Sequence, residues 1–148
     1  MLSRSNLART LALLSLAAPC AGAADEEWIS VVVNQSNSVE VVDAKQVADF
    51  FLGRRLRWAK QVPVLVVVVD GDPILHGAFC EKVLAMSPAQ FETRLVAVRY
   101  QGAATARVWR AKNEVEARKK VAESPGAIGY VRGKTAVAPL KVVLTLAP

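Results

Sequence analysis

Histidine is almost missing from this sequence: His76 is the single one in 148 residues. Acid–base enzymes lean on histidine more than on any other side chain, so most proton-transfer designs are hard to assemble here. Also lacking are a Ser-His-Asp set, a pair of catalytic carboxylates, a glycine-rich phosphate loop and a zinc-ligand spacing. The chain is therefore expected not to be an enzyme, and no cofactor is called for. Cysteine is scarce too, with only Cys20 and Cys80. No segment supplies the roughly 18 apolar residues that a membrane span needs. The best later run, Val62–Val69, is interrupted by Pro63 and stops at Asp70.

Acidic residues are absent from the first 24 positions, and what stands there instead is informative. Arg4 and Arg9 give a positive start, Leu11–Ala18 an apolar middle, and Ala21-Gly22-Ala23 a small-residue cleavage site, with Asp25, Glu26 and Glu27 directly after it. These are the three parts of a secretory signal. An uncleaved anchor is the alternative. A lipoprotein signal would need a small residue before Cys20, where Pro19 stands. Residues 1–23 are thus expected to be a cleavable signal peptide, and residues 24–148 one domain working outside the cytoplasm.

Cleavage would remove Arg4, Arg9 and Cys20 and lower the net charge of +6 by two. A lone Cys80 cannot form an internal disulfide, so the fold must stand on packing. The basic balance would suggest nucleic acid for a cytoplasmic protein, but an exported one rarely meets it. No nucleic-acid partner is expected, and the charge reads as solubility or attraction to anions.

Along the chain, Trp28–Val33 is a β-branched run of strand length, broken by Asn34–Ser38. Asp43 is placed to cap a helix through Leu52, ended by Gly53. Val62–Val69 reads as a strand buried on both faces. Asp70-Gly71-Asp72-Pro73 is a turn, and the helix after it is expected to run to about Met86. Ser87-Pro88 starts another helix, although Arg94–Tyr100 is also compatible with a strand. Gln101–Ala106 reads as a loop, Asn113–Glu123 as a polar helix, Ala127–Val131 and Lys141–Leu146 as strands. The pattern is α/β.

Three stretches occur in a recognisable order. The first is Val33-Asn34 followed by Asp49-Phe50-Phe51-Leu52-Gly53 and Trp58. The second is the helix pair around Phe79, Val83-Leu84 and Ser87-Pro88. The third is Pro125-Gly126-Ala127-Ile128-Gly129-Tyr130-Val131. Together they resemble the phosphate (PstS-like) periplasmic solute-binding proteins of ABC transporters, above all their short, single-lobe members. The resemblance implies a single lobe similar to a type II periplasmic binding protein, with a mixed sheet flanked by helices. It implies a periplasmic location and, as candidate partners, phosphate or another oxyanion and an inner-membrane transporter or sensor. Family members close two lobes on the oxyanion, so a homodimer is the candidate source of the second wall. The candidate ligand contacts are Asn34, Ser36 and Ser38 after the first strand, then Asp70 and Gly71 in the turn Asp70–Ile74, and His76.

This sequence departs from the family's pattern at that turn. Pro73 removes an N–H donor, Asp72 adds a negative charge, and Ser or Thr hydroxyls are missing. His76 stands at the position where an arginine is often found in the short members, and a neutral imidazole cannot make a guanidinium's two-pronged contact.

Two further groupings have competing readings. Asp72, His76 and Cys80 follow at i, i+4 and i+8. His76 and Cys80 could chelate a metal, whereas Asp72 and Cys80 lie about 12 Å apart along a helix. The plain alternative is that Asp72 caps, His76 edges the core and Cys80 packs. Arg54, Arg55, Arg57 and Lys60 around Trp58 could touch a membrane surface or an acidic partner. Their plain alternative is a solvated loop with Trp58 tucked inward. If small-ligand binding is lost, the lobe becomes an interaction or sensory module that docks on a membrane protein through its basic surface.

Overall fold

The computed structural model describes residues 27–100 and 107–148. The expected signal peptide at 1–23 and the expected loop at Gln101–Ala106 lie outside the described residues. A five-stranded sheet forms the centre. Its strands are β1 (Ile29–Asn34), β2 (Leu65–Val68), β3 (Arg107–Arg110), β4 (Ala127–Arg132) and β5 (Leu140–Leu146). Their order in space is β3-β2-β4-β1-β5. β2 runs parallel to β3 and β4, while β1 runs antiparallel to β4 and β5, which makes the sheet mixed.

β1 is buried along its whole length, as its unbroken β-branched run predicts. The helix α1 (Ala44–Phe51) opens with Asp43, whose carboxylate accepts from the Gln46 N–H while the Gln46 side chain accepts from the Asp43 N–H. That reciprocal pair satisfies two amides that a helix start otherwise leaves open. Val47, Phe50 and Phe51 recur at helical spacing and bury one face in the core. Phe51 meets Phe79 and Tyr130 there.

After β2, α2 (Pro73–Phe79) continues through a π-helical turn, Cys80–Leu84, and stops at Ala85 in the left-handed region. The helix α3 (Pro88–Tyr100) follows, with Ser87 and Gln90 bonded reciprocally at its start. Arg94–Tyr100 is thus helical. The helix α4 (Glu114–Glu123) is capped by Asn113 and packs on β4 and β1.

Two expectations need correction. The strand foreseen over Val62–Val69 is β2, only Leu65–Val68, because Arg57 pairs with Pro63 and draws Val62 and Pro63 into an exposed loop. β3 was not foreseen. It lies at the end of the sheet with only Val108 and Trp109 half-buried between two exposed arginines, so no apolar alternation marks it. Gly126 permits a close backbone crossing, since a Cβ there would lie 2.1 Å from the Pro63 carbonyl oxygen.

Candidate functional site

The three parallel strands bring their carboxyl ends to one end of the sheet, where open α/β sheets usually place ligands. The turn after β2 lies there. Gly71 is held so close to the Lys112 carbonyl that a Cβ would stand 2.0 Å from its oxygen. Asp72 caps α2 by accepting from the Leu75 N–H at 3.2 Å. The same carboxylate is gripped from β4 by Arg132, whose Nη2 donates to Oδ1 at 3.0 Å while Nη1 donates to Oδ2. Glu114 at the start of α4 lies 3.7 Å from the Arg132 guanidinium and accepts from the Arg132 backbone N–H. Next to this pair, Arg110 donates to Asp70 at 2.9 Å and to both oxygens of Glu92 at 2.7 and 2.8 Å.

Two guanidiniums thus hold four carboxylates. The hydrogen bonds from Arg132 and Arg110 keep the carboxyl groups of Asp72 and Glu92 below their usual range, and both arginines are held more firmly protonated. An oxyanion arriving at this turn meets an excess of negative charge, with both guanidiniums already taken.

Beneath the turn, His76 is buried, only 5 % exposed. The Tyr130 hydroxyl accepts from the Val69 N–H at 2.9 Å. Assigning its own proton to a hydrogen bond with Nδ1 of His76, 2.6 Å away, satisfies both groups and gives a neutral imidazole with its proton on Nε2. Burial lowers the His76 pKa and raises that of Tyr130, so both stay uncharged at neutral pH. His76 is therefore buried and tied to Tyr130 through Nδ1, and supports the turn rather than lining an open ligand site. Cys80 packs 3.8 Å from the ring, and burial pushes its thiol up to about 11. Among the described residues, no group of three or more His, Cys, Asp or Glu side chains could hold a metal ion.

Asn34, Ser36 and Ser38 lie at the opposite end of the sheet, because Val33 pairs with Ile128 at the start of β4. The two halves of the expected ligand set are not brought together. Asn34 is fully engaged: its amide donates to the carbonyls of Val121 and Ala122, and its oxygen accepts from the N–H and hydroxyl of Ser36. Ser36 and Ser38 instead line a cleft of about 110 Å³ with Asn37, Trp58, Lys60 and Pro125. Trp58 is buried, and its indole N–H donates to the Gly126 carbonyl at 2.9 Å. A wider groove of about 430 Å³ runs between β3 and α4, where the Lys120 ammonium stands 5.3 Å from the centre of the Trp109 ring.

Sequence reasoning missed Glu92, Arg110, Glu114, Tyr130 and Arg132 as members of the carboxyl-end cluster. Tyr130 was within a recognised stretch, but a buried hydroxyl that serves two partners leaves no trace in spacing. Nothing in the spacing of Arg110 and Arg132 ties either of them to the turn.

Similar architecture occurs in three solved structures, each matched over 80% of this chain. One is a protein of Clostridium perfringens described as a phosphate ABC transporter substrate-binding protein, with phosphate bound (18% identity, TM-score 0.56, 46% of its chain covered). Another is an ABC-type phosphate transport receptor of Vibrio cholerae (16%, 0.58, 47% covered). The third, from Planctomyces limnophilus DSM 3776, is described as a possible phosphate-binding protein (15%, 0.51, 42% covered). No protein-family model and no curated protein matches the sequence. The chain spans just under half the length of the solved structures it matches, and over that span it shares their mixed-sheet α/β fold.

Proposed function

We propose that this chain is a non-catalytic, solute-binding-type lobe that works in the periplasm as an interaction module, its ligand turn closed by its own carboxylates. One observation carries the reading: the Asp72 carboxylate takes both prongs of Arg132, the contact that an oxyanion would need. The sequence pattern of residues 1–23, which is that expected of a secretory signal, supports the location. The basic loop and the groove beside Trp109 supply surface for a partner such as an inner-membrane transporter or sensor.

The test is isothermal titration of the purified protein with phosphate, and with sulfate as control, at low ionic strength. Absence of heat at millimolar phosphate is the expected result. Micromolar binding would overturn the reading. It would favour the second one, capture of phosphate or another oxyanion by the lobe or a homodimer of lobes, to which the phosphate-bound Clostridium structure lends weight.

A further inference from the structure

The loop between α1 and β2 carries Arg54, Arg55, Arg57 and Lys60, and no acidic residue occurs between Asp49 and Asp70. All four cations are exposed. Among the described residues, the carboxylate that answers them is Asp49, 3.4 Å from Arg54. Such a one-signed patch has to be held together against its own repulsion, and the structure shows how. The Arg55 guanidinium lies 5.5 Å from the centre of the Phe50 ring. Arg57 donates to the Gln61 carbonyl at 3.0 Å. The Trp58 N–H is bonded to the Val62 carbonyl at 2.8 Å, and the Trp58 indole anchors the loop on Gly126.

The tip is strained as well. Lys60 and Gln61 have φ of 61° and 63°, in the left-handed region that non-glycine residues occupy at a cost. The fold thus maintains a braced cationic loop whose Lys60 stands at the lip of a concave site. The cleft beneath it, about 110 Å³, is lined by Ser36, Ser38 and Lys60 over Trp58. A water's share of liquid volume is about 30 Å³, so the cleft accommodates one short polar side chain and not a folded element.

From this geometry we infer that the cleft and its cationic lip form a docking site for an acidic, extended segment of a partner protein. One Asp or Glu side chain enters between Ser38 and Lys60, and neighbouring carboxylates meet Arg54, Arg55 and Arg57. The proposal deepens the interaction-module reading and rests on it. Charge complementarity selects the occupant. A membrane surface fits less well, because the site is concave and its one large aromatic, Trp58, is 6 % exposed and bonded inward.

The test is fluorescence anisotropy of the protein with a labelled peptide of alternating Glu and Gly, its Lys-Gly counterpart, and vesicles containing phosphatidylglycerol. Two variants report on the lip: Lys60→Asn, because asparagine tolerates the left-handed backbone while removing the charge, and Arg54→Ser/Arg55→Ser. Lys119→Ser/Lys120→Ser serves as the control for the other basic face. Circular dichroism checks that each variant is folded. The expected result is binding of the Glu peptide only, weakened about tenfold or more by each lip variant and less than about twofold by the control. Equal weakening by the control would reduce the effect to overall charge and overturn the site. Vesicle binding without peptide binding would overturn the partner class. Neither result bears on the phosphate titration, which alone decides whether the ligand turn is closed.

Discussion

Replacing Tyr130 by Phe deletes one oxygen and asks what that oxygen holds. The ring itself is undisturbed by the change: it stacks on Phe79 with centroids 3.9 Å apart and planes 6° from parallel, so no cavity opens. Two groups lose a partner, the Val69 N–H and Nδ1 of His76, and both residues are buried. A buried polar group left unsatisfied costs about 1–3 kcal/mol. With two affected and their costs not fully additive, the expected destabilisation is about 2–4 kcal/mol. Urea unfolding followed by circular dichroism measures it, and a drop in the midpoint of roughly 1–2 M is expected. A second measurement separates this cause from general damage. Combining Y130F with H76L should cost less than the sum of the two single changes, by about 0.5–3 kcal/mol, because the groups share one network. A loss below about 0.5 kcal/mol, or strict additivity, would refute the claim that the hydroxyl bridges the two.

Other perturbations follow from the same cluster. Burial lowers the folded-state pKa of His76, so the unfolded chain takes up a proton first as pH falls. Stability should therefore be full above about pH 6.5 and decline below it, by no more than about 1.4 kcal/mol per pH unit from this group; urea midpoints at several pH values should show the decline, and H76Q should flatten it. At Asp72, D72N retains a cap oxygen but loses the charge facing Arg132, whereas D72A loses both. Thermal unfolding should rank D72A below D72N by about 1 kcal/mol, and the reverse order would contradict the capping role. Cys80, buried and with its thiol pushed up to about 11, should resist a thiol reagent such as DTNB at mildly alkaline pH until urea unfolds the protein.

The elements that could be read from the sequence were those whose burial repeats with a period. β1 announces itself in Ile29–Val33, and α1 in the spacing of Val47, Phe50 and Phe51 after a capping Asp43. β3 could not be read that way, since an end strand with one protected flank needs no apolar face of its own. The departure of the turn Asp70–Ile74 from an anion site was visible in Asp72 and Pro73. The partners that complete the closure were not, because Arg110 and Arg132 arrive from strands 40 and 60 residues further along the chain. Likewise, nothing in the spacing of Asn34 and Asp70 says that a sheet's length separates them; only the direction of β1 against β4 does.

β3 has a bearing on how copies of this protein behave toward each other. It stands at the border of the sheet, where exposed strand backbone is a standing invitation to zipper onto another molecule. Its four residues are Arg107, Val108, Trp109 and Arg110. Were two copies to join there head-to-toe in simple register, each Arg107 would have to seat against the other's Arg110, a side chain already fixed by Asp70 and Glu92, and charged side chains of this kind blunt a strand edge. This margin of the sheet thus keeps Val108 and Trp109 at its rim, framed at each end by an exposed arginine that discourages edge-to-edge growth.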